Sequence, residues 1–134
     1  MSRKRRAYVA GPMRGYDNLN FDEFDRVRDE LLLEGFAVVS PADMDRAEGI
    51  DPADPGTYEK FTDDMRRDLE ALLDCDTIVF LKGWEKSEGA RMEATVGLIC
   101  GLTFYRAPDG ELGRVRVSRE YVRRVVGAFW HENV

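Results

Sequence analysis

The stretch SEGARMEATVG, residues 87–97, carries Ser87, Gly89 and Glu93 in a spacing that a plain packing helix does not call for. Ser87 either caps the helix by accepting a hydrogen bond from a first-turn amide, or turns its hydroxyl to a ligand. Gly89 lets a ligand come close to unpaired amides that, with the helix dipole, favour an anion. Glu93 is a good helix former and means nothing if exposed, but beside Ala90 and Gly97 it has room for a ligand. A second glycine-rich turn, GPMRG, follows an apolar run and sets Gly11, Arg14 and Gly15 where a guanidinium can grip an anion. A second carboxylate, Asp68, falls about 40° from Leu72, at the edge of the stripe made by Phe61, Met65, Leu69 and Leu72. Either it caps a loop or pairs with an arginine such as Arg66 or Arg91, or desolvation raises its pKa and lets it exchange a proton near neutrality.

The chemistry open to these residues is narrow. The single histidine, His131, stands near the end of the sequence, so acid–base work falls to carboxylates or tyrosines. Cys75 and Cys100 lack metal-ligand spacing and read as buried free thiols, and no metal or organic cofactor is expected. Together these residues set an anion site beside two carboxylates open to pKa perturbation.

The elements that must position them alternate short apolar runs with amphipathic segments, the pattern of a parallel sheet flanked by helices. AYVAG is the first strand. Asn20 is expected to cap the next helix, with Glu23 as capping-box partner and Phe21, Phe24, Val27, Leu31 and Leu32 at helical spacing. Gly35 stops it, FAVVSP is the second strand, and a long loop is expected over residues 42–57. A helix over 58–73, the central strand TIVFL and the SEGARMEATVG helix follow. LTFY, a turn at Asp109-Gly110 and RVRV complete a parallel sheet of about five strands, and Ser118 opens a last helix with Tyr121, Val122, Val125, Val126 and Phe129 on its packing face. Ala90, Ala94, Gly97 and Gly101 share one helix side that can approach a sheet or a second subunit closely, hence an expected homodimer.

With 134 residues the chain is read as one α/β domain, Rossmann- or flavodoxin-like, over residues 1–134. Its 20 Lys and Arg against 26 Asp and Glu, a net charge of −6, argue against a nucleic-acid partner despite the basic SRKRR at residues 2–6. No apolar run approaches the roughly 20 residues of a membrane span, and the apolar segment after the basic start is too short for a signal sequence, so a cytoplasmic protein is expected.

YVAGPMRG, the block DLEALLDCDTIVFL and SEGARMEATVG together resemble the nucleoside 2-deoxyribosyltransferase superfamily, over about residues 7–102. Within it the sequence is most similar to the deoxynucleoside 5'-monophosphate N-glycosidases and to small, often phage-borne relatives. The resemblance implies roles for matching residues: Glu93 as nucleophile, Asp68 and Tyr8 as its catalytic partners, and Gly11, Arg14, Gly15, Ser87 and Gly89 as the phosphate site. It also implies a small-molecule nucleotide or nucleoside as partner and subunits that complete each other's sites. In transferases of unphosphorylated nucleosides the Ser87 position resembles an aspartate, which would repel a phosphate. Three functions follow as expectations: hydrolysis of a nucleotide N-glycosidic bond, base exchange by a deoxyribosyltransferase, or nucleotide binding without catalysis.

Overall fold

A computed structural model describes residues 4–54, 61–108 and 113–133 of the chain. Five strands, β1 (Arg6–Ala10), β2 (Ala37–Val39), β3 (Thr77–Phe80), β4 (Thr103–Arg106) and β5 (Val115–Arg116), form one sheet in the order β2-β1-β3-β4-β5. The helices are α1 (Phe21–Leu33), α2 (Pro41–Ala47), α3 (Phe61–Leu72), α4 (Glu88–Cys100) and α5 (Arg119–Asn133). No helix among the described residues is long and apolar enough to cross a membrane.

The first four strands are parallel, as the sequence pattern predicts, whereas β5 runs antiparallel to β4, with Tyr105 opposite Arg116. The expectation of a wholly parallel sheet is therefore corrected to a mixed one. A parallel neighbour needs a crossover of a dozen or more residues, usually a helix. Only residues 107–114 separate β4 from β5, so the chain doubles back along the edge.

Alternation along the central strands divides the core into two layers. Ala7, Val9, Val79 and Leu81 meet Phe21, Phe24, Val27 and Leu31 of α1. Tyr8, Ala10, Ile78 and Phe80 face the other way, toward Leu72 of α3, Ala90 and Ala94 of α4, and Val122 and Val126 of α5. Both faces are covered, which is why TIVF is apolar at every position and buried throughout. The side chain of Phe61, the Asp109-Gly110 turn and residues 55–60 lie outside what is described.

The small face of α4 is used within the chain. A Cβ on Gly97 would stand 2.7 Å from Ile78 Cδ1 and 2.9 Å from Phe104 Cε1, so the helix lies directly on β3 and β4. Ala90 and Ala94 are buried in the same layer. Gly101 instead ends the helix at φ +76°, exposed. Of the two neighbours the sequence offered this face, a sheet or a second subunit, the chain's own sheet takes the positions of Ala90, Ala94 and Gly97. On the outer side α5 buttresses α4: Arg119 donates to the carbonyls of Leu98 and Leu102 at 2.7 and 3.0 Å, and Trp130 Nε1 to Thr95 Oγ1 at 2.9 Å. Tyr121, expected on that packing face, is partly exposed and donates its hydroxyl to Glu85 at 2.7 Å.

Three local expectations fail for identifiable reasons. Pro41, with φ preset for a first helical turn, starts α2 inside the expected long loop. Asn20 forms no capping box, since its amide donates to the Pro12 carbonyl at 2.9 Å and Glu23 pairs with Arg26. Asn18, Leu19 and Asn20 all take positive φ, so a left-handed turn replaces the simple cap. Cys100 is exposed at the end of α4 rather than buried, while Cys75 is buried, which pushes its thiol up to about 11.

Candidate functional site

Parallel α/β sheets bind ligands where neighbouring strands send their connections to opposite faces. Here that point lies between β1 and β3, since α1 leaves β1 on one face and α4 leaves β3 on the other. A cavity of about 290 Å³ opens there. Its walls are the turn after β1 (Gly11–Arg14 and Tyr16), α3 (Asp64, Met65 and Asp68), and the segment from Gly83 through the first turns of α4 to Glu93. Phe24 and Pro41 close one side.

Of the eight residues singled out in the sequence, six line this cavity: Gly11, Arg14, Asp68, Ser87, Gly89 and Glu93. Tyr8 lies behind the wall, fully buried, and donates its hydroxyl to Glu93 Oε2. Its contact is with the carboxylate rather than with the cavity. Gly15 does not reach the cavity; at φ +81° it supplies the left-handed position of a turn closed by Tyr16 N–H to the Met13 carbonyl at 3.2 Å. Gly11 has a packing duty as well, because a Cβ there would meet Leu81 Cβ at 2.6 Å.

The two carboxylates are strongly perturbed. Glu93 is 4% exposed on α4, and burial together with the charge of Asp68 lifts its pKa well above the ordinary value, with the Tyr8 hydroxyl pulling it back. Burial raises Asp68 to about 6, against the hydrogen bonds and charge of Arg67. Tyr8 is raised too, by burial first and then by the charges of Glu93 and Asp68, so it remains a hydroxyl donor. Two coupled carboxyls in one cavity hold a proton between them over a middle pH range.

At the other end Ser87 is the N-cap of α4: its Oγ accepts from Ala90 N–H at 3.2 Å, which leaves its own O–H free to donate elsewhere. The amides of Glu88 and Gly89 have no acceptor within the helix. Arg14 and Lys86 add positive charge to the cavity's lining, and the Glu88 carboxylate works against it. The arrangement offers an anion subsite at one end of the cavity and acid–base groups at the other.

Sequence reasoning missed Arg67 and Lys86. Arg67, rather than Arg66 or Arg91, holds Asp68, through bonds of 2.7 and 3.0 Å to Oδ1. Neighbours i and i+1 do not face each other on an ideal helix, so spacing gave no hint of this pair. Arg91 stacks over the Phe129 ring at 4.2 Å, toward α5 and away from the cavity. Asp45, Glu48 and Asp64 bring carboxylate oxygens within 4.8 Å of one another, a spacing that suits a cation, and the Arg67 guanidinium among them supplies that charge.

A family model described as a domain of unknown function, DUF4406, matches residues 5–105. The chain belongs to the DUF4406 family. The matched span of this DUF4406 domain contains every cavity-lining residue and stops before β5 and α5. No curated protein matches the chain. A solved structure, described as a conserved protein from Enterococcus faecalis V583, is similar with a TM-score of 0.56 at 16% identity, covering 94% of this DUF4406 chain and 88% of that chain. At that identity the likeness speaks for the fold alone.

Proposed function

We propose that the domain hydrolyses the N-glycosidic bond of a nucleoside 5'-monophosphate, releasing the base and the sugar 5-phosphate. The observation that carries the reading is Glu93, held from behind by the buried Tyr8 hydroxyl and lining the same cavity as Asp68, with the N-terminus of α4 at the cavity's other end. The resemblance to nucleoside 2-deoxyribosyltransferases and the flavodoxin-like strand order support it from the side of sequence and topology.

In this mechanism the 5'-phosphate docks on Ser87 O–H, the Glu88 and Gly89 amides, Arg14 and Lys86, which fixes C1' near Glu93. As the C1'–N bond breaks, C1' becomes oxocarbenium-like. Glu93, oriented by Tyr8, stabilises that charge and closes a C1'–O bond through its carboxylate. The bond's electron pair leaves with the base, which takes a proton from Asp68, a carboxyl already raised to about 6. Water then attacks C1', Asp68 takes the water's proton, and Glu93 leaves as carboxylate. The reaction needs no metal or organic cofactor. A cytoplasmic homodimer acting on a free small-molecule nucleotide belongs to the same proposal, through the resemblance.

The test is a panel of ribo- and deoxynucleoside monophosphates and the matching nucleosides, with free base followed by chromatography. Base released from monophosphates in preference to nucleosides, and lost in Glu93→Ala, is the expected result. Base exchange between two nucleobases with no need for a phosphate would instead identify a transferase. No base from any compound would leave a binding module and overturn the enzymatic reading.

A further inference from the structure

Asp68 is tied to a second helix through its neighbour. Arg67 Nε and Nη2 both donate to Asp68 Oδ1, at 3.0 and 2.7 Å, and the same Nη2 donates to Asp45 Oδ1 on α2 at 2.7 Å. Arg67 Nη1 reaches Oε2 of Glu48, the residue that follows α2, and lies 3.8 Å from Asp64 Oδ1. Asp45 is only 1% exposed, and its Oδ2 has no partner among the described residues. Burying a carboxylate costs several kcal/mol unless it is well paired, so an acid buried with one oxygen unserved is an expensive way to hold two helices together. What the arrangement does achieve is direction. A guanidinium is planar, with donors in a fixed fork, so anchoring one edge on α2 fixes where the other edge points.

We propose that Arg67 is a positioning residue for Asp68: anchored by Asp45 on α2 and by Glu48 at that helix's C-cap, it holds the Asp68 carboxyl in a single orientation at the cavity wall. Both Arg67 bonds fall on Oδ1, so Oδ2 is the oxygen that carries the transferable proton. α2 thus acts on the chemistry without touching the cavity through Asp45 or Glu48. The proposal rests on the reading of Asp68 as the acid that serves the leaving base.

The groups that act on Asp68 come from four elements. Asp64 and Arg67 lie on its own helix, Asp45 on α2 with Glu48 at its C-cap, Glu93 on α4 and Tyr8 on β1, and Arg14 and Lys86 line the same cavity. The hydrogen bonds and charge of Arg67 favour the ionised carboxyl, whereas Asp45 and Asp64 oppose it. Loss of Arg67 therefore has a signed consequence at a single carbon.

The experiment follows the Asp68 side-chain carboxyl by carbon-13 NMR titration in the wild type, Arg67→Gln and Arg67→Lys, with Asp68→Asn identifying the resonance. In Arg67→Gln the midpoint is expected to rise by about 1–3 pH units, the usual effect of removing an adjacent arginine. In Arg67→Lys, whose ammonium cannot serve α2 and Asp68 with the same fork, a smaller rise is expected. Should Arg67→Gln fail to fold, the lysine variant carries the test alone. An Asp68 midpoint unchanged from wild type in each folded variant would overturn the proposal, since only an arginine that does not hold Asp68 would leave that titration where it was. The titration needs no turnover, so it stands or falls separately from the N-glycosidase reading, which fails on its own if no base is released. Where base is released, the pH profile is expected to move in step with the Asp68 midpoint.

Discussion

Replacing Asp68 by Asn tests the electrostatics of the cavity without assuming any substrate. Burial raises the Asp68 carboxyl from its ordinary 3.8 to about 6. That separation corresponds to about 3 kcal/mol. The folded state therefore prefers the neutral carboxyl. Its contribution to stability is fully present below pH 3.8 and is lost as pH rises through about 6. Above that range the wild type carries the whole cost. Asn has the shape of the neutral acid and does not ionise, so Asp68→Asn escapes it. The amide also makes weaker bonds with Arg67, which keeps Asp45 and Glu48 as partners, so about 3 kcal/mol is an upper bound. Urea unfolding followed by circular dichroism at pH 8 and pH 3.5 reads the difference. At pH 8 the variant's midpoint is expected to lie up to about 1.5 M higher, for a slope near 2 kcal/mol/M, and the gap should close at pH 3.5. A variant less stable than wild type at pH 8, or an equal gap at both pH values, would refute the reasoning.

Other expectations concern packing and turnover. Gly97→Ala drives a methyl against Ile78 and Phe104, which should lower stability by about 1–3 kcal/mol despite alanine's better helix propensity, measured as a fall in melting temperature. Arg14→Met should raise the KM for a nucleoside monophosphate about tenfold and leave the corresponding nucleoside unaffected, because only the phosphate meets the guanidinium. The pH profile of kcat/KM should be a bell, since the active form holds one proton between Asp68 and Glu93. Asp68→Asn should lower the rate about 10²–10⁴-fold and remove the alkaline limb.

Much of the fold was legible because each central strand is short, apolar and bounded by glycine or proline. YVA and TIVF left no other periodicity to consider, and the Phe21, Phe24, Val27 and Leu31 stripe fixed the buried side of α1. What was not legible depended on distance along the chain. The direction of β5 follows from a short return that only the strand pairing reveals, and α2 was hidden because a seven-residue helix leaves little periodic signal. For the site, glycine and serine at a helix start, the arginine-bearing glycine turn after β1 and carboxylates at apolar edges located six of the cavity's residues, since those types break a packing pattern. Arg67 broke none: a charged residue on an amphipathic helix reads as solvated surface, and its partners on α2 and at the C-cap of α2 lie 22 and 19 residues away in sequence. The small face of α4 was recognised, but it took coordinates to see that the chain's own β3 and β4 fill it.

The central claim is that Glu93 acts at the sugar carbon, and the most direct measurement is the intact mass of the protein quenched in acid during turnover of a nucleoside monophosphate. Expected is an added mass equal to the sugar phosphate, mapped by peptide sequencing to Glu93 and absent in Glu93→Ala. Base release that persists in Glu93→Ala, with no adduct on the wild type at any quench time, would contradict it.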